Sequence, residues 1–118
     1  MKIYEGALEA DGKRLSVCLI RLENASIVLL DEKENIRLGT LAAAVPEYEG
    51  KHIATSVLLG ERNAVGTRVI AERVSANIGG IALVSINAEP IADAASLHPF
   101  MSLTMELVEK AAREKKKP

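Results

Sequence analysis

Two neighbouring runs, Leu15 to Leu22 and Ala25 to Leu30, constrain this chain more than anything else in it. They are separated by Glu23-Asn24, which suits a tight hairpin loop. With that loop, Ile20 stands opposite Ile27 and Cys18 opposite Leu29 on one side, while Leu19 faces Val28 and Val17 faces Leu30 on the other. Both sides are apolar. A sheet with one face in water would alternate polar and apolar residues instead. Two helices can cover one face of a small sheet, so the other must be covered by the sheet folding back into a sandwich or by a second subunit. Apolar burial is worth roughly 25 cal/mol per Å², so leaving such a face wet is costly and aggregation-prone. A dimer is the expected solution. Either face could serve, and the side carrying Cys18, Ile20, Ile27 and Leu29 is assigned to the interface.

The other elements follow from periodicity and punctuation. Ile3 to Leu8 reads as a short strand closed by the turn pair Asp11-Gly12. Ile36 to Val45 is ambiguous, because three alanines favour helix while Pro46 stops one; its place between strands favours strand. Ile53 to Leu59 is a β-branched strand ending at Gly60. The period then changes. Val65, Val69, Ile70, Val74 and Ile78 recur at helical spacing, so a helix spans 63–78, with Asn63 as cap and Gly79-Gly80 as stop. Ile81 to Ile86 is a strand. A closing helix over 97–115 carries Phe100, Thr104, Leu107, Val108 and Ala111 on one face, with Pro99 in its first turn. The expected fold is one α+β domain over 1–118: a mainly antiparallel sheet of about six strands with two helices.

Length and charge narrow the function classes. The 118 residues make one domain, and 48% apolar with 26% charged residues exclude a disordered chain. Apolar runs fall far short of the roughly 20 residues a membrane span needs, and the start lacks a signal-peptide layout, so a cytoplasmic protein is expected. Absent Gln with many Glu, Lys and Arg leans toward a thermophilic source. Residues 1–108 hold 14 acids and 10 bases, and the last ten hold 2 acids and 5 bases. A body at −4 is a poor match for nucleic acid. The tail from Lys110 to Pro118 reads first as a solvated helix end whose lysines suit the dipole.

Chemistry is scarce. His52 and His98, the two histidines, have no partner at catalytic spacing, and Cys18 between Val17 and Leu19 reads as a small core hydrophobe. No Cys/His cluster points to a metal, and no cofactor is implied. The turn Gly60 to Thr67 joins a strand to a helix like a phosphate loop. However, five residues separate its glycines and Arg68 follows Thr67, so the motif fails. A small anionic ligand at that turn remains an alternative function. Exposed partner contacts are expected from Glu61, Arg62 and Asn63 and from Glu32, Lys33 and Glu34 in the charged loop Asp31 to Asn35.

A few strings carry a resemblance. Gly39-Thr40-Leu41, then Thr55-Ser56-Val57-Leu58-Leu59-Gly60, a helix with Ala71-Glu72-Arg73-Val74, and the strand Ile81 to Ile86 after Gly79-Gly80 resemble the small third and fourth proteasome assembly chaperones, and in particular an archaeal relative. The similarity runs from about Leu15 to Val108. It implies a non-enzymatic dimer that binds α-type subunits of the proteasome core particle, helps them form the correct ring and leaves. It also implies a partner that is a second copy or a related chaperone. The ending Lys115-Lys116-Lys117-Pro118 departs from the chaperone type that ends near a tyrosine, so no docking of the C-terminus into ring pockets is expected. The competing reading is a dimeric scaffold domain of another complex.

Overall fold

The structure is a computed structural model that describes residues 1–10, 12–47 and 52–115. Asp11 of the expected turn pair and Lys116 to Pro118 of the basic tail lie outside the described residues. Eight elements follow in order: β1 (Lys2–Ala10), β2 (Lys13–Arg21), β3 (Ala25–Asp31), β4 (Thr40–Pro46), β5 (Ile53–Leu59), α1 (Ala64–Ile78), β6 (Ile81–Asn87) and α2 (Ala94–Lys115). The strands form one sheet in the order β1-β2-β3-β6-β4-β5, in which only β3 and β6 run parallel. The α+β fold with a mostly antiparallel six-stranded sheet and two helices is therefore as expected. Neither described helix is long and apolar enough to cross a membrane.

The hairpin has the register its side chains dictate. Ile20 pairs with Ile27, Cys18 with Leu29, Leu19 with Val28 and Val17 with Leu30, and the Leu22 amide donates to the Ala25 carbonyl at 2.9 Å across Glu23-Asn24. Both helices lie on the Leu19–Val28 side. Under them Val17, Leu19, Val28, Leu30, Ala42, Ala44, Val84 and Ile86 are all at most 2% exposed. α2 contributes Phe100, Leu103, Leu107, Val108 and Ala111, an i, i+3, i+4 stripe that meets β1 and β2. α1 covers β4, β6 and β5.

α1 buries a different stripe from the one its valines suggest. Ile70 and Val74 are buried and Ile78 partly so, but Val65 is 73% and Val69 41% exposed. The inward face is completed by Thr67, Ala71 and Ser75. Their small size lets the helix approach the sheet, and their hydroxyls are satisfied without leaving the core: Thr67 Oγ1 donates to the Asn63 carbonyl and Ser75 Oγ to the Gly80 carbonyl. Gly80 sits at φ +79, where an added Cβ would lie 2.6 Å from the Asn24 carbonyl oxygen. The chain can thus turn directly from α1 into β6 against the hairpin loop.

Two boundaries differ most from expectation. β4 starts at Thr40, because Ile36 to Gly39 is held in a loop whose Gly39 amide donates to Ser85 Oγ at 2.9 Å. α2 starts at Ala94, with Asp93 Oδ1 accepting from the Ser96 amide at 2.8 Å. An Asp cap six residues ahead of the proline sets this start, so Pro99 lies inside the helix. The Ala95 carbonyl thereby loses its usual i+4 donor, but Ala95 is exposed and water can take it. The far end of α2 is tied to the sheet edge: Tyr4 Oη donates to Glu114 Oε2 at 2.6 Å, and Lys2 lies 3.7 Å from the same oxygen. That bond holds the Tyr4 hydroxyl above, and the Glu114 carboxyl below, their ordinary ranges.

The burial pattern sets a contrast for mutation. Leu30→Ala, in the centre of the core, is expected to cost about 3 kcal/mol, and Val65→Ala on the outer side of α1 within about 0.5 kcal/mol of zero. Urea unfolding midpoints of the two variants check the assignment of faces.

Candidate functional site

Opposite the helices, the other face of the sheet has no helix or strand over it among the described residues; the loop 32–39 reaches across only the end where Asp31 and Ser85 lie buried. Cα pairing carries one row across it from Ile3 to Ile20, Ile27, Leu83 and Ala43, and the next from Glu5 to Cys18, Leu29, Ser85, Leu41 and Leu59. Ile3 is 54%, Leu58 55% and Val45 44% exposed on this face, while Ile20, Ile27, Leu29 and Leu83 are half-buried only by their neighbours. Six strands of about seven residues make a face about 29 Å by 23 Å. Its plan area of about 650 Å² approaches the roughly 800 Å² each partner gives to a stable interface. The four hairpin residues assigned to an interface thus stand together at its centre. Cys18 is among them and half-buried, so it belongs to this open face and not to the core. Burial, then the charge of Glu5 opposite, push its thiol upward, which keeps it neutral and apolar in character.

A second feature forms at one end of the sheet, where β3 and β6 finish and β4 begins. The loops after β3, β5 and β6 converge there, and two side chains pin them. Asp31 is fully buried, so the loop it opens is not simply an exposed acidic one. Its Oδ1 accepts from the Lys33 amide at 3.0 Å and Arg37 Nη2 at 3.4 Å; its Oδ2 accepts from the Arg37 amide at 2.9 Å, Arg37 Nε at 3.2 Å and Asn87 Nδ2 at 3.1 Å. Burial alone would raise this carboxyl, but these donors together hold it below its ordinary value of 3.8.

Asn63 is the second pin. It occupies the cap position of α1 in the left-handed conformation, φ 61, yet makes no side-chain cap bond. Its amide instead spans to the next loop: Nδ2 donates to the Ala88 and Glu89 carbonyls at 3.3 and 3.1 Å, and Oδ1 accepts from the Ile91 amide at 2.7 Å. Asparagine tolerates this backbone region better than most residues. Thr40 Oγ1 donates to the Arg62 carbonyl, joining β4 to the same cluster. Among the described residues no buried side-chain nitrogen or oxygen lacks a partner.

The expected contact residues separate within this cluster. Glu32, Lys33 and Arg62 line one open cavity of about 530 Å³, together with Lys13, Arg14, Arg37 and Glu89. Glu61, Arg62 and Asn63 border a neighbouring apolar groove of about 1060 Å³ along Val65, Val69, Ile91 and Leu97. Glu34 is exposed and lines neither. Lys13, Arg14 and Arg37 carry no local signal in the sequence, since only the strand order gathers them. His52 and His98 are exposed and apart from both surfaces. Among the described residues, no three His, Cys, Asp or Glu side chains are grouped to hold a metal ion.

The chain is similar in fold to a proteasome assembly chaperone. The match is to a chain in the crystal structure of a novel chaperone complex for yeast 20S proteasome assembly. The TM-score is 0.65 at 15% identity, over 92% of this chain and 99% of that chain. At that identity the likeness is one of fold. No family model matches the sequence, and no curated protein matches it.

Removing the Asp31 carboxylate leaves the Lys33 and Arg37 amides and Asn87 Nδ2 without their acceptor, while the half-exposed Arg37 guanidinium can turn to water, so Asp31→Ala is expected to cost about 2–3 kcal/mol. Because folding lowers this pKa, the stability it contributes is present above 3.8 and lost as pH falls through the lower folded value. Denaturant unfolding followed from pH 7 to pH 2.5 should show a larger loss in the parent than in Asp31→Asn, which keeps only the share of Glu114 and Asp93.

Proposed function

We propose that this protein is a non-enzymatic assembly chaperone for the proteasome core particle that works as a dimer and binds α-type subunits transiently. The open apolar face carries this reading. A face of that size exposed on a small domain is characteristic of a protein that spends its working life paired. The fold likeness to a chaperone chain of yeast 20S proteasome assembly supports the choice of pathway. In this reading a second copy packs on the face centred on Cys18, Ile20, Ile27 and Leu29, and the loop cluster pinned by Asp31 and Asn63 meets the α-subunit. The pair works in the cytoplasm, where its clients are made. A polar, pre-organised loop surface suits a client that must later be released, because transient interfaces are small and polar at the rim.

The test is assembly of purified proteasome α-subunits with and without the protein, followed by native mass measurement. The expected outcome is a complex of the dimer with α-subunits and several-fold faster ring formation. Ile27→Glu, or the milder Leu58→Glu at the exposed margin, should leave the circular dichroism spectrum intact, yield a single copy and lose the acceleration. α-Subunits that neither bind the protein nor change their assembly would contradict the proposal.

A further inference from the structure

The cavity at the loop end has a charge pattern that specifies a partner chemistry. Lys13, Arg14, Lys33, Arg37 and Arg62 all line it. These are five of the ten basic residues in 1–108, a stretch whose net charge is 10 − 14 = −4. Half of the positive charge on an acidic body is therefore collected around one opening. The acids present are turned inward. Asp31 is spent on Arg37, while Glu32, with its side chain 15% exposed, is spent on Lys13 at 2.9 Å and on the Glu89 amide. The cations stay on the outside, with the side chains of Lys13, Arg37 and Arg62 52%, 55% and 62% exposed. Glu89 is the one well-exposed acid of the lining, 3.9 Å from Arg62. Arg14 and Lys33 make no ion pair among the described residues.

We propose that this cavity docks an acidic, Asp/Glu-rich segment of a partner protein. Counting Asp31, Glu32 and Glu89 against the five cations still leaves +2 at the opening. The guanidinium groups of Arg14 and Arg62 can clamp carboxylates in two-point fashion; Arg14 stands on β2, and the loops that carry Lys33, Arg37 and Arg62 are fixed in advance by the Asp31 and Asn63 networks, so little ordering cost remains on binding. A nucleic acid fits less well. No aromatic side chain lines the cavity to stack a base, and a long polyanion would run onto the acidic remainder of the body. A short carboxylate-rich stretch ends where the positive patch ends.

This inference deepens the chaperone reading by naming the chemistry of the client's contact segment, and its test does not need the client. Fluorescence anisotropy of the full protein with a labelled ten-residue glutamate-rich peptide reads the surface directly, with a glutamine-for-glutamate peptide and an oligo(dT) of similar length as parallel probes. The expected result is binding of the glutamate peptide alone, weakening about tenfold between 50 and 300 mM salt. Arg14→Glu combined with Lys33→Glu should weaken it tenfold or more while circular dichroism and oligomer mass stay unchanged. No binding, equal binding of the glutamine peptide, tighter binding of oligo(dT), or indifference to the double variant would overturn the inference. A silent peptide with α-subunit binding intact defeats this inference only, whereas a bound peptide with indifferent α-subunits defeats the chaperone reading only.

Discussion

A sheet apolar on both sides can be satisfied only if two layers lie against it, and this chain supplies one. α1 and α2 occupy the same face, bury Leu19, Val28, Val84 and Ala42 completely, and leave the row Ile3, Ile20, Ile27, Leu83 and Ala43 on the outside. The hairpin register sets this division, pairing Leu19 with Val28 under the helices and Ile20 with Ile27 on the outside. Neither end of the sheet offers an escape: β1 and β5 lie at opposite margins and do not close on each other. The missing layer is thus a property of the topology, and in our proposal a second copy provides it.

The loop end shows how a rigid surface is made from three connections. Three connections that would fray separately are cross-linked by one buried carboxylate and one left-handed asparagine. Asp31 accepts from backbone amides of its own loop and from the Asn87 side chain, and Asn63 bonds backbone groups of the loop after β6, so they fix main-chain positions as well as side chains. The charges above them inherit that rigidity. In our proposal, apolar mating and polar docking therefore occupy different parts of one molecule.

What was legible in the sequence was whatever depended on near neighbours. Period-2 alternation around Glu23-Asn24 is enough to pair Ile20 with Ile27 and Cys18 with Leu29, and Phe100, Leu107, Val108 and Ala111 mark their helix face by spacing alone. α1 misled because a hydrophobic count gives weight to Val65 and Val69 and none to Thr67 and Ser75, which the close helix-to-sheet approach favours. Asp31 looked like the first charge of a solvated loop; its burial depends on Arg37 and on Asn87, 56 residues away. Asn63 was readable as a helix start, but its real partners at 88 to 91 are set by β6 lying between β3 and β4. The gathering of Lys13, Arg14 and Arg62 has the same cause, and no local pattern encodes it.

The account rests on a second layer over the open face. Sedimentation equilibrium of the unmodified protein, from 100 nM to 100 μM, addresses that claim directly. A 12.7 kDa chain that pairs has a mass of 2 × 12.7 = 25.4 kDa, and the account predicts that value at the upper concentrations. A mass of 12.7 kDa throughout, with the protein soluble and folded, would contradict it.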